Sequence, residues 1–76
     1  MNKLRRKGIQ EIMDRLEELK SDFELLKYEE EEYRDNIPEN LQGSDRYEMA
    51  DEACDNLSSA FDSLEEALSY MEEAIA

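Results

Sequence analysis

The sequence predicts an all-α fold: an antiparallel helical hairpin that pairs with a second copy into a four-helix bundle. Three observations lead there. Residues 50–76 repeat a seven-residue pattern almost without interruption, the first half of the chain carries a heptad of its own, and a short joint containing Pro38 and Gly43 separates the two. The 76 residues form one domain. Its parts are a helix over about residues 3–34, a joint over about 36–44 and a helix over about 45–76, by the usual start and stop signals.

In the first helix Ile9, Leu16 and Phe23 fall on one column, and Ile12, Leu19 and Leu26 fall on another, with Tyr33 continuing the pattern. Steps of three and four place both columns on one face of an α-helix. The positions between them are mostly Glu, Asp, Lys and Arg, which favour helix and suit a wet face.

The joint reads Asn36-Ile-Pro-Glu-Asn-Leu-Gln-Gly-Ser44. Pro38 disfavours helix in the residue before it, and Gly43-Ser44 is turn chemistry. Asp45 with Glu48 fits a capping box for the second helix, and Ser44 is the competing N-cap. Ile37 and Leu41 are expected to fold back and plug the joint end of the core.

Aligned on alanine, the second helix gives three apolar stripes. They are Ala53, Ala60, Ala67 and Ala74; Ala50, Leu57, Leu64 and Met71; and Tyr47, Cys54, Phe61, Leu68 and Ile75. One partner helix covers two stripes, so a third is surplus and points to assembly. Asn56 and Ser63 beside Ala60 and Ala67 leave one side nearly flat, where another backbone can approach closely. The residues expected to carry self-association are Ala53, Leu57, Ala60, Phe61, Leu64, Ala67, Leu68 and Met71. The expected core is Ile9, Ile12, Leu16, Leu19, Phe23, Leu26, Leu57, Phe61, Leu64, Leu68 and Met71.

Two helices of about 32 residues span roughly 48 Å each. A chain this short buries a modest core and gains from a staple or a second copy. Cys54 is the only cysteine, so no intrachain disulfide is available. At an apolar heptad position it reads as a small buried hydrophobe.

Twenty-two acidic and nine basic residues give a net charge of −13. Residues 1–34 hold eight bases and ten acids, net −2, whereas residues 35–76 hold one base and twelve acids, net −11. Such a surface repels nucleic acid and anionic membrane and attracts basic protein surfaces. Lys3, Arg5, Arg6 and Lys7 at one helix N-terminus, and Glu72 and Glu73 at a helix C-terminus, both oppose the helix dipole. Antiparallel pairing brings them together, where each is expected to relieve the other. Glu29, Glu30, Glu31, Glu32, Asp35, Asp45, Glu48, Asp51 and Glu52 crowd the joint end, opposed there by Arg34 and Arg46 alone. Like charges so close call for a basic partner or for the basic end of a second hairpin.

The chain has no histidine and two glycines, Gly8 and Gly43. Histidine-based triads, imidazole zinc sites and Gly-rich nucleotide cradles are therefore excluded. The run Glu29–Glu32 points around a helix rather than at one centre, and no calcium-loop motif occurs. No catalytic, cofactor or metal residue is expected, and the chain is not expected to be an enzyme. No stretch has the length and apolarity of a membrane span, so a cytoplasmic protein is expected.

The joint Asn36-Ile-Pro-Glu-Asn-Leu-Gln-Gly-Ser-Asp-Arg-Tyr-Glu48, followed by Ala/Glu-rich heptads, resembles small helical proteins encoded by phages and mobile elements of Gram-positive bacteria. The resemblance extends loosely over the whole chain, and only the joint is distinctive. It implies a cytoplasmic accessory or host-takeover role and brings no catalytic residues with it.

The functional expectation is a self-associating interaction module with no cofactor. Its partner surface would comprise Leu25, Tyr28, Glu29, Glu30, Glu31, Glu32, Asp35, Glu48, Asp51 and Glu52. The alternative is a DNA-mimicking inhibitor of a nucleic-acid-binding defence enzyme. Twenty-two carboxylates along a hairpin of roughly 48 Å give about one per 2 Å, close to the one charge per ~1.7 Å of duplex DNA.

Overall fold

Both helices start where a side chain can satisfy their first free N–H groups. The computed structural model describes residues 1–76 and contains α1 (Lys3–Asp35), a single 3-10 turn (Glu39–Leu41) and α2 (Asp45–Ile75). Asn2 caps α1, its Oδ1 accepting from the Arg5 N–H at 2.8 Å. Ser44 caps α2, accepting from the Tyr47 N–H at 3.4 Å. The capping box expected from Asp45 is thus replaced. Asp45 lies one residue inside the helix, where its charge, like that of Glu48, favours the dipole instead.

Backbone hydrogen bonds brace the joint at both of its ends. The Asn36 N–H donates to the Glu32 carbonyl at 3.0 Å and the Ile37 N–H to the Arg34 carbonyl at 3.2 Å, closing α1 just before Pro38. The Leu41 N–H then reaches the Pro38 carbonyl at 2.8 Å, and the Ser44 hydroxyl donates to the Leu41 carbonyl. Ile37 is 3% exposed and plugs the end of the core, as expected. Leu41 does not: the 3-10 turn carries it outward, and it is exposed.

The helices lie against each other as an antiparallel hairpin, with overall extents of 59 × 16 × 13 Å. On α2 the seam uses two of the three stripes. Ala50, Cys54 and Leu68 are buried, and Tyr47, Leu57, Phe61, Leu64, Met71 and Ile75 are half-buried. The third stripe, that of alanine, flanks the seam: Ala53 is half-buried, while Ala60, Ala67 and Ala74 are exposed.

On α1 the seam differs from the expected one. Ile9, Leu16 and Phe23 are half-buried in it, but their companions are Met13, which is buried, and Lys20, Lys27 and Arg34, which are half-buried. Ile12, Leu19 and Leu26, expected in the core, are 48%, 61% and 61% exposed, and Tyr33 is 43% exposed. Steps of three and four run equally well through 9, 12, 16, 19 and through 9, 13, 16, 20. The second set wins because the lysine stems cover Phe61 while their ammonium groups still reach carboxylates and water. The Lys20 and Lys27 nitrogens stand 5.4 Å and 5.8 Å from the Phe61 ring centre.

Two helices cannot enclose a core by themselves. Five of 76 residues are buried, and the chain exposes 5874 Å². A compact monomer of 9.0 kDa exposes about 4,900 Å². The surplus is roughly 1,000 Å² by the same relation.

Candidate interaction surface

The hairpin has two broad faces, set by the columns on either side of the seam. One face carries Lys20, Lys27 and Arg34 from α1 beside Cys54, Phe61 and Leu68 from α2. Its charges are locally paired. The Lys27 Nζ meets Glu31 Oε1 at 3.0 Å and Lys20 meets Glu17 at 3.6 Å, both within α1. Arg34 donates to Asp35 at 3.1 Å and across the seam to Asp51 at 3.0 Å. The hydrogen bond to Glu31 holds the Lys27 ammonium above its ordinary pKa, against the smaller opposing effect of burial. Burial pushes the Cys54 thiol up, so this cysteine stays protonated at neutral pH and is a packing group rather than a nucleophile.

The opposite face is open and apolar. Ile12, Leu19, Leu26 and Tyr33 run along its α1 side, and Ala53, Ala60 and Ala67 run along its α2 side. Two shallow grooves lie on it. One, at mid-length, is lined by Leu16, Leu19, Phe23, Leu26 and Leu64, with Lys20 and Asp22 at its edge. The other, towards the joint, is lined by Glu30, Tyr33, Arg46, Met49, Ala50 and Ala53. Arg46 crosses this second groove: its Nε donates to the Tyr33 hydroxyl at 2.7 Å, with the guanidinium 5.3 Å from the Tyr33 ring centre.

These placements divide the expected self-association residues. Ala60 and Ala67 are exposed on the open face, with Ala53 half-buried at its edge, whereas Leu57, Leu64 and Met71 form its half-buried floor. Phe61 and Leu68 belong to the seam on the paired face. The residues that the sequence reading did not assign to this surface are Ile12, Leu19 and Leu26. Their heptad spacing was visible, but it was spent on the core.

The expected partner surface is divided as well. Leu25 and Tyr28 are exposed, and Tyr28 lies beneath the Lys27 ammonium at 4.7 Å from its ring centre. Glu29, Glu32, Asp35, Glu48 and Glu52 are exposed. Glu30, Glu31 and Asp51 are half-buried, the last two because they accept from Lys27 and Arg34. Arg46, expected to oppose the acidic cluster, is bound to Tyr33 instead. Glu29, Glu30, Glu32, Asp45, Glu48 and Glu52 have no cation within 4.0 Å. At the far end, Lys3, Arg5, Arg6 and Lys7 make no ion pair within 4.0 Å with Glu72 or Glu73. The hairpin brings these groups to one end, but all are exposed and hydrated, so direct pairing gains little there.

No family model, curated protein or solved structure matches the chain. No cluster of three or more His, Cys, Asp or Glu side chains is placed to hold a metal ion, and no helix is long and apolar enough to cross a membrane.

Proposed function

We propose that this chain is a small acidic interaction module. It associates with itself through the open face to form a four-helix bundle, and it acts by binding another protein through its acidic surface. The supporting observation is the apolar face running the length of the hairpin. The whole chain exposes roughly 1,000 Å² more than a compact monomer of its mass, comparable with the ~800 Å² that each partner hides in a standard protein interface. The resemblance of the joint to proteins of phages and mobile elements fits an accessory role in a host cytoplasm.

Sedimentation equilibrium at micromolar concentration tests self-association. The expected mass is twice the 9.0 kDa of one chain. A single-chain mass throughout that range overturns the reading.

The carboxylates at the joint end support a second reading, mimicry of DNA before a basic nucleic-acid-binding enzyme. Six of them lack a cation within 4.0 Å and present free charge. A mimic is displaced from its target by duplex DNA and weakens steeply with salt. Binding indifferent to both, yet lost on Tyr28→Ala, ends this reading and favours a contact through Leu25 and Tyr28.

A further inference from the structure

We infer that Glu30 is a recognition residue: the groove beside the joint receives a lysine or arginine side chain from an apolar segment of a different protein, and Glu30 is its counter-ion. This rests on the reading above that the chain binds another protein through its acidic surface. It adds where the contact lies and what it captures.

Glu30 stands where the helix is otherwise apolar. The column Ile9, Leu16, Phe23, Glu30 and Ile37 runs along the seam at seven-residue steps, and Glu30 is its one charged member. The side chain is half-buried. A carboxylate drawn part-way into a seam gives up hydration and calls for a cation or a donor in return. The next residue shows how the chain meets that need, since Glu31 accepts from the Lys27 Nζ at 3.0 Å. Glu30 has no cation within 4.0 Å, and none of the side-chain hydrogen bonds reaches it. Packing alone would favour leucine at this position.

The surroundings of Glu30 fit one kind of occupant. It shares its groove with Tyr33, Met49, Ala50 and Ala53, an aromatic and aliphatic wall with a carboxylate set into it. A lysine or arginine side chain is divided in the same way, with an apolar stem and a cationic head. Arg46 lines the groove too, but it is held on the Tyr33 hydroxyl and ring and pairs with no carboxylate within 4.0 Å.

Charge decides against a second copy as the source of that cation. Residues 16–61, the joint side of the hairpin, hold four bases and fifteen acids, net −11. Residues 1–15 and 62–76, the tip side, hold five bases and seven acids, net −2. Either end of a second copy is itself negative, so neither neutralises the joint. A different protein with a basic surface does.

A synthetic helical peptide with leucine at every third or fourth position and lysine elsewhere tests the inference. Its control is the same peptide with every lysine acetylated, and binding is read by fluorescence anisotropy. Glu30→Gln should weaken binding of the lysine peptide about tenfold. Glu48→Gln, which removes the same charge from an exposed position outside the groove, should weaken it less than about threefold. Glu30→Leu should also lose the peptide, yet melt no lower than the unmodified chain by circular dichroism, because it completes the apolar column. Equal losses for Glu30→Gln and Glu48→Gln overturn the proposal, since net charge alone then holds the peptide. Equally tight binding of the acetylated peptide, or a lower melting temperature for Glu30→Leu, overturns it as well. Sedimentation separates the site from self-association: Glu30→Gln should leave the mass of the free protein unchanged, and a changed mass names the second copy as the occupant and overturns the proposal. A lysine peptide that binds without regard to Glu30 defeats the site and leaves the acidic-surface reading standing, whereas no binding at all defeats both.

Discussion

The two faces of the hairpin are built on the same column of α1 and treat its neighbours in opposite ways. Ile9, Leu16 and Phe23 sit in the middle. On one side Met13, Lys20, Lys27 and Arg34 are drawn into the seam, and on the other Ile12, Leu19 and Leu26 are left to water. By hydropathy alone the choice should be reversed. The difference shows what one chain can and cannot satisfy by itself. Long cationic side chains close a helix–helix groove with their stems and keep their heads solvated. Branched apolar side chains on the opposite flank have no such stem-and-head compromise and stay exposed in the single hairpin. The paired face is finished within one molecule, whereas the open face leaves its large apolar side chains exposed.

Substitutions on the two sides test that contrast. Phe61→Asp should have the largest effect, unfolding the chain, because Phe61 is packed beneath two lysine stems. An unpaired charge there costs several kcal/mol against a small total stability, and the loss is read as helicity by circular dichroism. Leu19→Asp should come next and act on assembly. A carboxylate in the middle of the open apolar face would have to be buried on association, weakening it by about a hundred-fold, or about 2.7 kcal/mol. Sedimentation measures it, and an unchanged dissociation constant breaks the contrast between the faces. Arg5→Glu should weaken association less, by roughly tenfold at low salt and hardly at all at high salt, since an exposed charge at a rim is screened. Lys20→Met, which keeps the stem on Phe61 and removes the charge, should shift the melting temperature by only a few degrees.

pH sharpens the comparison from the paired side. The Lys27 pKa is raised in the folded chain, chiefly by its hydrogen bond to Glu31. Its contribution to stability is therefore fully present below the ordinary lysine value of 10.5 and lost as pH climbs through the higher folded value. The raised Cys54 pKa works in the same direction, because the buried thiol resists ionisation that the unfolded chain would allow. An alkaline loss of stability is expected, and Lys27→Met should flatten part of it. Melting temperature against pH, with and without that change, checks the assignment.

Much of the architecture could be read directly from residue types. Pro38 and the Gly43-Ser44 turn mark the joint, and the seven-residue alanine repeat fixes which α2 stripes lie side by side. The rotation of α1 could not be read in this way. Its first column fits a seam with the residue three positions on or four positions on, and periodicity cannot distinguish them when one alternative is lysine. The cap at Asn2 was available as a signal, since asparagine before a helical run is a favoured N-cap. The 3-10 turn at Glu39–Leu41 had no comparable mark, and its consequence, the outward position of Leu41, followed from backbone geometry rather than residue type. For the interaction surface, the alanine stripe was legible but its α1 counterpart was hidden by its assignment to the core.

The compact joint also sets how the molecule comes together in time. Ile37 is tucked under the end of the core, and backbone hydrogen bonds from Asn36, Ile37, Leu41, Gln42 and Ser44 brace the turn around it. Contacts between the helices therefore have their smallest sequence separation beside the joint and their largest at the far tips. Chain-closure entropy grows in the same order, so the pairing nucleates at the joint and zips outward. The carboxylates of Glu29–Glu32, Asp35, Asp45 and Glu48 crowd that nucleus and repel one another before any apolar surface is buried. Collapse is held back most where the loop is shortest, and moderate salt should speed folding more than it slows unfolding.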